Sequence, residues 1–280
     1  MARPRRHLET GRVAEARAEP RQSRVRGRDG RAGTRRSISG TERSLANLDD
    51  GNCIASLSSN PPVIVSVHIP KCGGISFQHV LRGIYGKRRL WLNYGTFTRK
   101  DEARYDLIPP GTRCIHGHFL ADTFDELVPQ PELVTWLRHP VQRVVSNYYH
   151  FLRHPDPGNP CCRELLDKRL GLEKFAELEF MRNEATRYLA GKPLSAFKFV
   201  GIMEKFEESL AVFGTTFGVS VPSKPPRENM NPGRFTATYP LCRRTYDTIL
   251  SLNLRDLMVY EQVLAQLGSE RQRARAIAPG

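Results

Sequence analysis

The chain has 280 residues, 39% of them hydrophobic, and a formal charge of +14 at pH 7. This suits one α/β domain plus a tail, and the charge points to an anionic partner: nucleotide, nucleic acid, polyanionic glycan or acidic membrane surface. No run of about 18 apolar residues occurs, so no transmembrane helix is expected, and the six cysteines form neither CxxC nor a zinc-type Cys/His spacing.

Residues 1–50 hold 13 Arg, no Lys and 7 acids, with little hydrophobicity and no lasting period. They read as a disordered Arg-rich tail, which we bound at 1–55. An RNA-binding arm would want aromatics for base stacking, and the stretch has none. The start also lacks the apolar core of a secretory signal, and the expected location is cytoplasmic. The cysteines read as free thiols of a reducing compartment.

Order is expected from about residue 60 to 270. Val63-Ile64-Val65-Ser66-Val67 is a β-branched apolar run, a buried strand. A Gly-containing turn leads to a helix from Ser76 to about Tyr85, with Ser76 near its N-cap. Residues 86–112 are mixed, with a loop at Pro109-Pro110-Gly111. Arg113-Cys114-Ile115 reads as a strand entering His116-Gly117-His118, and Glu132 to Leu137 as another. Pro140 suits a helix start, and Val141, Val144, Val145 and Tyr148 follow at helical spacing. A loop is expected at 153–163, helices near 173–190, 204–213 and 253–267, and an irregular Pro-rich stretch at 219–235. Strands alternating with helices give the expected fold class: α/β, a P-loop-like three-layer domain with a central parallel sheet.

The strongest local signal is His68-Ile69-Pro70-Lys71-Cys72-Gly73-Gly74-Ile75-Ser76-Phe77, between a strand and a helix. Two glycines let the backbone approach an anion closely, and converging N–H groups with a helix N-terminus favour phosphate there. Lys71 adds a mobile full charge, and Ser76 a hydroxyl. The order is not that of a Walker A loop, in which lysine follows the glycines. A second signal is Leu137-Arg138-His139-Pro140, continuing through Arg143 and Ser146 to Tyr148-Tyr149. It places a planar guanidinium at a strand end, suited to phosphate oxygens. Arg143 reads as a structural partner of an acid. Between these signals lies His116-Gly117-His118, the residue type whose ordinary pKa suits proton removal from a hydroxyl.

These motifs together resemble the carbohydrate sulfotransferases that use 3′-phosphoadenosine 5′-phosphosulfate (PAPS), a sulfotransferase family 2-like group of heparan sulfate and uronyl O-sulfotransferases and bacterial relatives. The resemblance runs over about residues 62–268. It includes Asn183-Glu184-Ala185-Thr186-Arg187, Phe199-Val200-Gly201-Ile202-Met203-Glu204, Asn229-Met230-Asn231-Pro232 and Asn253 to Glu261. It implies that Lys71, Cys72, Gly73, Gly74, Ile75 and Ser76 hold the 5′-phosphosulfate, and that Arg138 and Ser146 grip the 3′-phosphate. His118 would be the general base, with His116 a supporting or acceptor-binding group. Cys72 and Ile75 stand where the family commonly has threonine, and His139 where it commonly has aspartate. Lys224, Arg227 and Arg234 would lie in a stretch closing over the nucleotide, or in a plain surface loop. Arg187 would meet nucleotide or an acidic acceptor, or form a structural ion pair.

The expected activity is in-line transfer of a sulfuryl group from PAPS to a hydroxyl acceptor, a glycan by family analogy. No metal, no specific nucleic acid and no membrane association are expected. Two readings of other classes stand beside it: an ATP-dependent P-loop phosphotransferase, and a non-catalytic polyanion binder driven by charge.

Overall fold

A computed structural model describes residues 62–95, 107–222 and 238–277, with side chains to 269. The expected tail at 1–55 and the stretch with Lys224, Arg227 and Arg234 lie outside the described residues. Five strands form one parallel sheet: β1 (Ile64–Val67), β2 (Leu90–Asn93), β3 (Cys114–Gly117), β4 (Glu132–Leu137) and β5 (Phe197–Ile202), in the order β2-β3-β1-β4-β5. The helices are α1 (Gly74–Arg89), α2 (Pro140–Arg153), α3 (Pro160–Asp167), α4 (Leu172–Ala176), α5 (Glu184–Tyr188), α6 (Phe206–Phe217), α7 (Arg243–Ser251) and α8 (Leu254–Ile277). The fold is α/β with a central parallel sheet flanked by helices.

β1 is buried along its whole length, as a central strand covered on both faces must be. Its register with β3 sets Ser66 beside His116 and Val67 beside Gly117, and the His68 N–H continues the ladder to the Gly117 carbonyl at 2.8 Å. His68 and His118 therefore leave the sheet side by side. On the other flank Val67 pairs with Thr135, whose hydroxyl donates to the Val67 carbonyl. The chain turns from β1 toward β2 on one side and from β4 toward β5 on the other. The C-terminal ends of β1 and β4 thus flank the switch point at which open α/β sheets leave a crevice.

α1 begins at Gly74 with Gly73 as N-cap, so Ser76 lies inside the first turn and is not the cap. The glycine pair turns the chain earlier than a serine cap would. α1 has no acid in its first turn and Lys87, Arg88 and Arg89 in its last, an arrangement that leaves its positive end for a ligand. α2 starts with Pro140 at its first position. It buries Val141, Val144 and Val145 in a second apolar cluster with Cys162, Leu165, Phe175 and Ile249.

Two further expectations need correction. The loop at 153–163 is shorter, because Asn159 accepts from the Cys161 and Cys162 N–H groups and starts α3 at Pro160. The helix over 173–190 is broken into α4, a 3-10 turn at Glu179–Met181, and α5, with Asn183 in the left-handed region between the last two. β2, β5 and α7 were not foreseen.

Cys72, Cys114, Cys161, Cys162 and Cys242 are free thiols. Among the described residues no helix is long and apolar enough to cross a membrane.

Candidate active site

The turn after β1 carries the first group of site residues. Lys71 has φ +65° and Gly73 φ +84°. A non-glycine residue there costs roughly 1–2 kcal/mol, which the surrounding packing must offset. These left-handed residues curl the backbone so that N–H groups converge, and the first-turn N–H groups of α1 have no acceptor within the helix itself. Neither glycine has room for a side chain. A Cβ on Gly73 would sit 2.3 Å from Met203 Sδ, and one on Gly74 would sit 1.9 Å from the His68 ring. Cys72 points into the core and its thiol is pushed up to about 12 by burial. The Cys72 N–H donates to the Ile69 carbonyl at 3.2 Å within the turn.

The end of β4 carries the second group. Arg138 is buried at 7% exposure, and its Nη1 donates to the Lys71 carbonyl at 3.2 Å. Its Nε lies 4.0 Å from Glu204 Oε1, and its guanidinium lies over the Tyr239 ring at 5.8 Å. Glu204 also accepts from the His139 N–H at 3.0 Å and from the Tyr260 hydroxyl. This one carboxylate therefore orients the Arg138–His139 corner. Gln142 fixes Tyr239 by a two-way amide pairing: it accepts from the Tyr239 N–H at 2.6 Å and donates to its carbonyl at 3.2 Å. Ser146, Asn147 and His150 line the same cleft from α2.

The cleft between these groups has a volume of about 840 Å³ and is lined by Lys71, Gly73, Gly74, Ile75, Ser76, His118, Arg138 and Ser146, among others. Eight of the expected site residues therefore share one cavity, although they come from three separate strand ends. Cys72 and His116 do not line it.

The imidazoles divide by depth. His118 lines the cleft, and its Nδ1 donates to the His68 carbonyl at 2.7 Å. A carbonyl can only accept, so the neutral ring keeps its lone pair on Nε2. Burial, and secondarily Lys71, hold its pKa below the ordinary 6.5, while the bond to His68 pulls the other way. His116 is only 1% exposed. Its Nδ1 shares a hydrogen bond with Ser66 Oγ at 2.9 Å, and burial, then His118, lower its pKa to about 3. His116 was expected to be a supporting or acceptor-binding group; its ring is buried against His68 and does not line the cleft, a position that suits the supporting role.

Lys71 is held at a pKa of about 8, first by burial and then by Arg138 and Arg153. His150, one turn beyond Ser146, is lowered to about 4 by burial, then by Lys71 and His154. An anion in the cleft would favour the charged form of both groups.

Arg143 is 1% exposed. It pairs with Glu184 through Nη1, donates to the Met181 carbonyl at 2.8 Å and to Asn253 Oδ1 at 3.4 Å, and lies 3.9 Å from Asp256. It is the structural partner of acids that its sequence context suggested. Arg187 lies at the cleft, stacked on Phe180 at 5.5 Å and donating to its carbonyl at 2.7 Å.

His68, Tyr94, Gln142, His150, Glu204 and Tyr239 were missed from the sequence. His150 had a usable signal, its i+4 spacing from Ser146 on a helix. His68 and Gln142 lie within the two motifs but carried no signal of their own, and Tyr94, Glu204 and Tyr239 reach the site from distant segments.

No protein-family model matches the chain. No curated protein matches it either. Among solved structures, it is similar to a sulfotransferase from Alicyclobacillus acidocaldarius, at 16% identity and a TM-score of 0.43, over 74% of this chain and 97% of that one. It is also similar to the mouse sulfotransferase SULT7A1 complexed with PAP, at 17% identity and a TM-score of 0.38, over 60% of this chain and 62% of that one.

Proposed function

We propose that the chain is a PAPS-dependent O-sulfotransferase that acts on a hydroxyl of a carbohydrate. One observation carries the reading. Two anion grips, at Lys71–Ser76 and at Arg138 with Ser146, stand on adjacent parallel strands and share a cleft with an imidazole whose lone pair is on Nε2. A donor with phosphate at both ends of its nucleoside needs two such grips, and a hydroxyl acceptor needs the base. The motifs that resemble the carbohydrate sulfotransferases fall at these same three places.

The turn of Lys71, Gly73, Gly74 and Ser76, with the backbone of Cys72 and Ile75, holds the 5′-phosphosulfate. Arg138 and Ser146 hold the 3′-phosphate and so fix the donor's position. His118 Nε2 takes the proton of the acceptor hydroxyl. The acceptor oxygen bonds to sulfur as the bond from sulfur to the phosphate oxygen breaks, and adenosine 3′,5′-bisphosphate leaves. Lys71 and the turn's N–H groups stabilise the charge that gathers on the departing phosphate. The basic body suits an acidic glycan, and the glycan assignment rests on the family resemblance.

The test is sulfur-labelled PAPS incubated with a panel of polysaccharides and simple glycosides. Label should appear in a carbohydrate with equal formation of adenosine 3′,5′-bisphosphate. His118→Ala should lower the rate by about 10²–10⁴-fold and leave bisphosphate binding intact. No PAPS-dependent transfer to any hydroxyl would contradict the reading.

A further inference from the structure

The base assigned to His118 is not a solitary side chain. His68 leaves β1 beside it and stacks on it, with ring centroids 4.3 Å apart and planes 24° apart. The same ring lies 5.2 Å from His116, at 14°. His68 is 6% exposed and its edge abuts the Cα of Gly74. Its Nδ1 is 2.9 Å from the Tyr94 hydroxyl, and that hydroxyl donates onward to Gln78 Oε1 at 3.1 Å. Because the Tyr94 proton goes to Gln78, His68 Nδ1–H must donate to Tyr94. Tyr94 also stands edge-on to the His118 ring at 5.0 Å. The chain Gln78–Tyr94–His68 fixes one ring, and that ring covers one face of His118.

We propose that His68, held by Tyr94 and Gln78, is a positioning residue for His118: its carbonyl sets the tautomer of the base, and its ring sets the base's orientation and keeps water from its face. This rests on the reading of His118 as the base. The groups facing His68 are His116 from β3, His118 just beyond it, Tyr94 beyond β2, Gln78 from α1 and Lys71 from the turn. None is an acid, so a proton on His68 has no counter-charge. Burial, then His118, His116 and Lys71, hold its pKa well below 6.5. His68 therefore stays neutral while His118 cycles, and its neutral face lies against the imidazolium formed during transfer.

The experiment compares wild type, Tyr94→Phe and His68→Ala by ring-nitrogen NMR titration of His118, with kcat–pH profiles and bisphosphate binding measured in parallel. Tyr94 is 39% exposed, so its variant keeps the fold even if His68→Ala does not. In wild type, His118 should carry its proton on Nδ1. In His68→Ala the backbone carbonyl remains but water reaches the ring. The His118 pKa and the acid limb of kcat should then move up, toward the ordinary value, by about one unit. Tyr94→Phe should move both in the same direction by a smaller amount, with bisphosphate affinity changed less than twofold. A His118 proton on Nε2 in wild type, or titration curves that coincide in wild type and Tyr94→Phe, would overturn the proposal. The NMR titration needs no turnover. An inactive wild type with the expected tautomer and shifts would therefore count against the sulfotransferase reading and not against the stack.

Discussion

Lys71 faces opposing demands. In its proposed role it must carry charge to hold an anion, yet it sits in a turn where burial and two arginines pull its pKa from 10.5 to about 8. Lysine is charged below its pKa, and an anionic ligand favours the charged form, so binding raises that pKa. The affinity for adenosine 3′,5′-bisphosphate should be greatest below pH 8 and fall as pH rises through it. Near pH 8 binding should take up a fraction of a proton, read as a dependence of the calorimetric enthalpy on the buffer's ionisation enthalpy. Lys71→Ala should abolish that uptake and lower turnover by about 10²-fold or more, with thermal stability retained. Unchanged turnover, or uptake that persists in the variant, would remove Lys71 from the site. As the proposed base His118 has the opposite requirement, since a base must be neutral. Its lowered pKa lets it serve below pH 6.5, so the two residues bound a working range between a depressed imidazole and a depressed ammonium.

At the scale of elements, the cleft depends on three helices tied beneath it. Asn183 Oδ1 accepts from the Arg255 and Asp256 N–H groups at the start of α8, and Asp256 accepts from Ala185 and Thr186 at the start of α5. Each helix thus supplies or anchors the other's cap. Arg143 of α2 binds into the same network through Glu184, Asn253 and Asp256. Burial pushes the Glu184 carboxyl up, and Arg143 holds it down. Removing the arginine would strand buried carboxylates, so Arg143→Ala should cost about 3–5 kcal/mol in urea unfolding. A loss under about 1 kcal/mol would mean the network is solvated like a surface pair. The sequence carried these elements unevenly. β1 and β4 were legible because buried parallel strands are continuous apolar runs, and α2 because Pro140 precedes a helical valine pattern. β5 had a strand pattern too, with Phe197 and Phe199 buried and Lys198 exposed between them. The segment Phe199 to Glu204 was used only for its likeness to a family motif and was assigned no element. β2 is four residues at a sheet edge, and its Leu90-Trp91-Leu92 core sits behind three basic residues that belong to α1. α7 has Ile249 as its sole fully buried side chain, which leaves little periodic signal.

For the whole molecule, topology does what local sequence does not record. The sheet order brings the turns after β1, β3 and β4 to one crevice, though Lys71, His118 and Arg138 lie tens of residues apart. The residues proposed for the two anion grips and for the base could be marked in advance because glycine pairs, strand-end arginine and His-Gly-His are local motifs. The residues that orient them could not. Glu204 reaches Arg138 and His139 from beyond β5, and Tyr94 reaches His68 from beyond β2. His116 shows the reverse case: its motif marked it, and the depth of β3 removed it from the cleft. The net charge of +14 adds a long-range attraction for polyanions that is independent of the site. Discrimination between nucleotides at moderate salt therefore says more about function than affinity alone.

The most direct measurement is calorimetric titration with adenosine 3′,5′-bisphosphate against ATP and 5′-AMP in moderate salt, repeated with Arg138→Ala. A second phosphate grip predicts that the bisphosphate binds more tightly than either competitor, and that Arg138→Ala weakens it by about 10- to 100-fold, the worth of charge-assisted hydrogen bonds. Equal or tighter binding of ATP, unaffected by the loss of Arg138, would contradict the two-grip site and with it the sulfotransferase assignment.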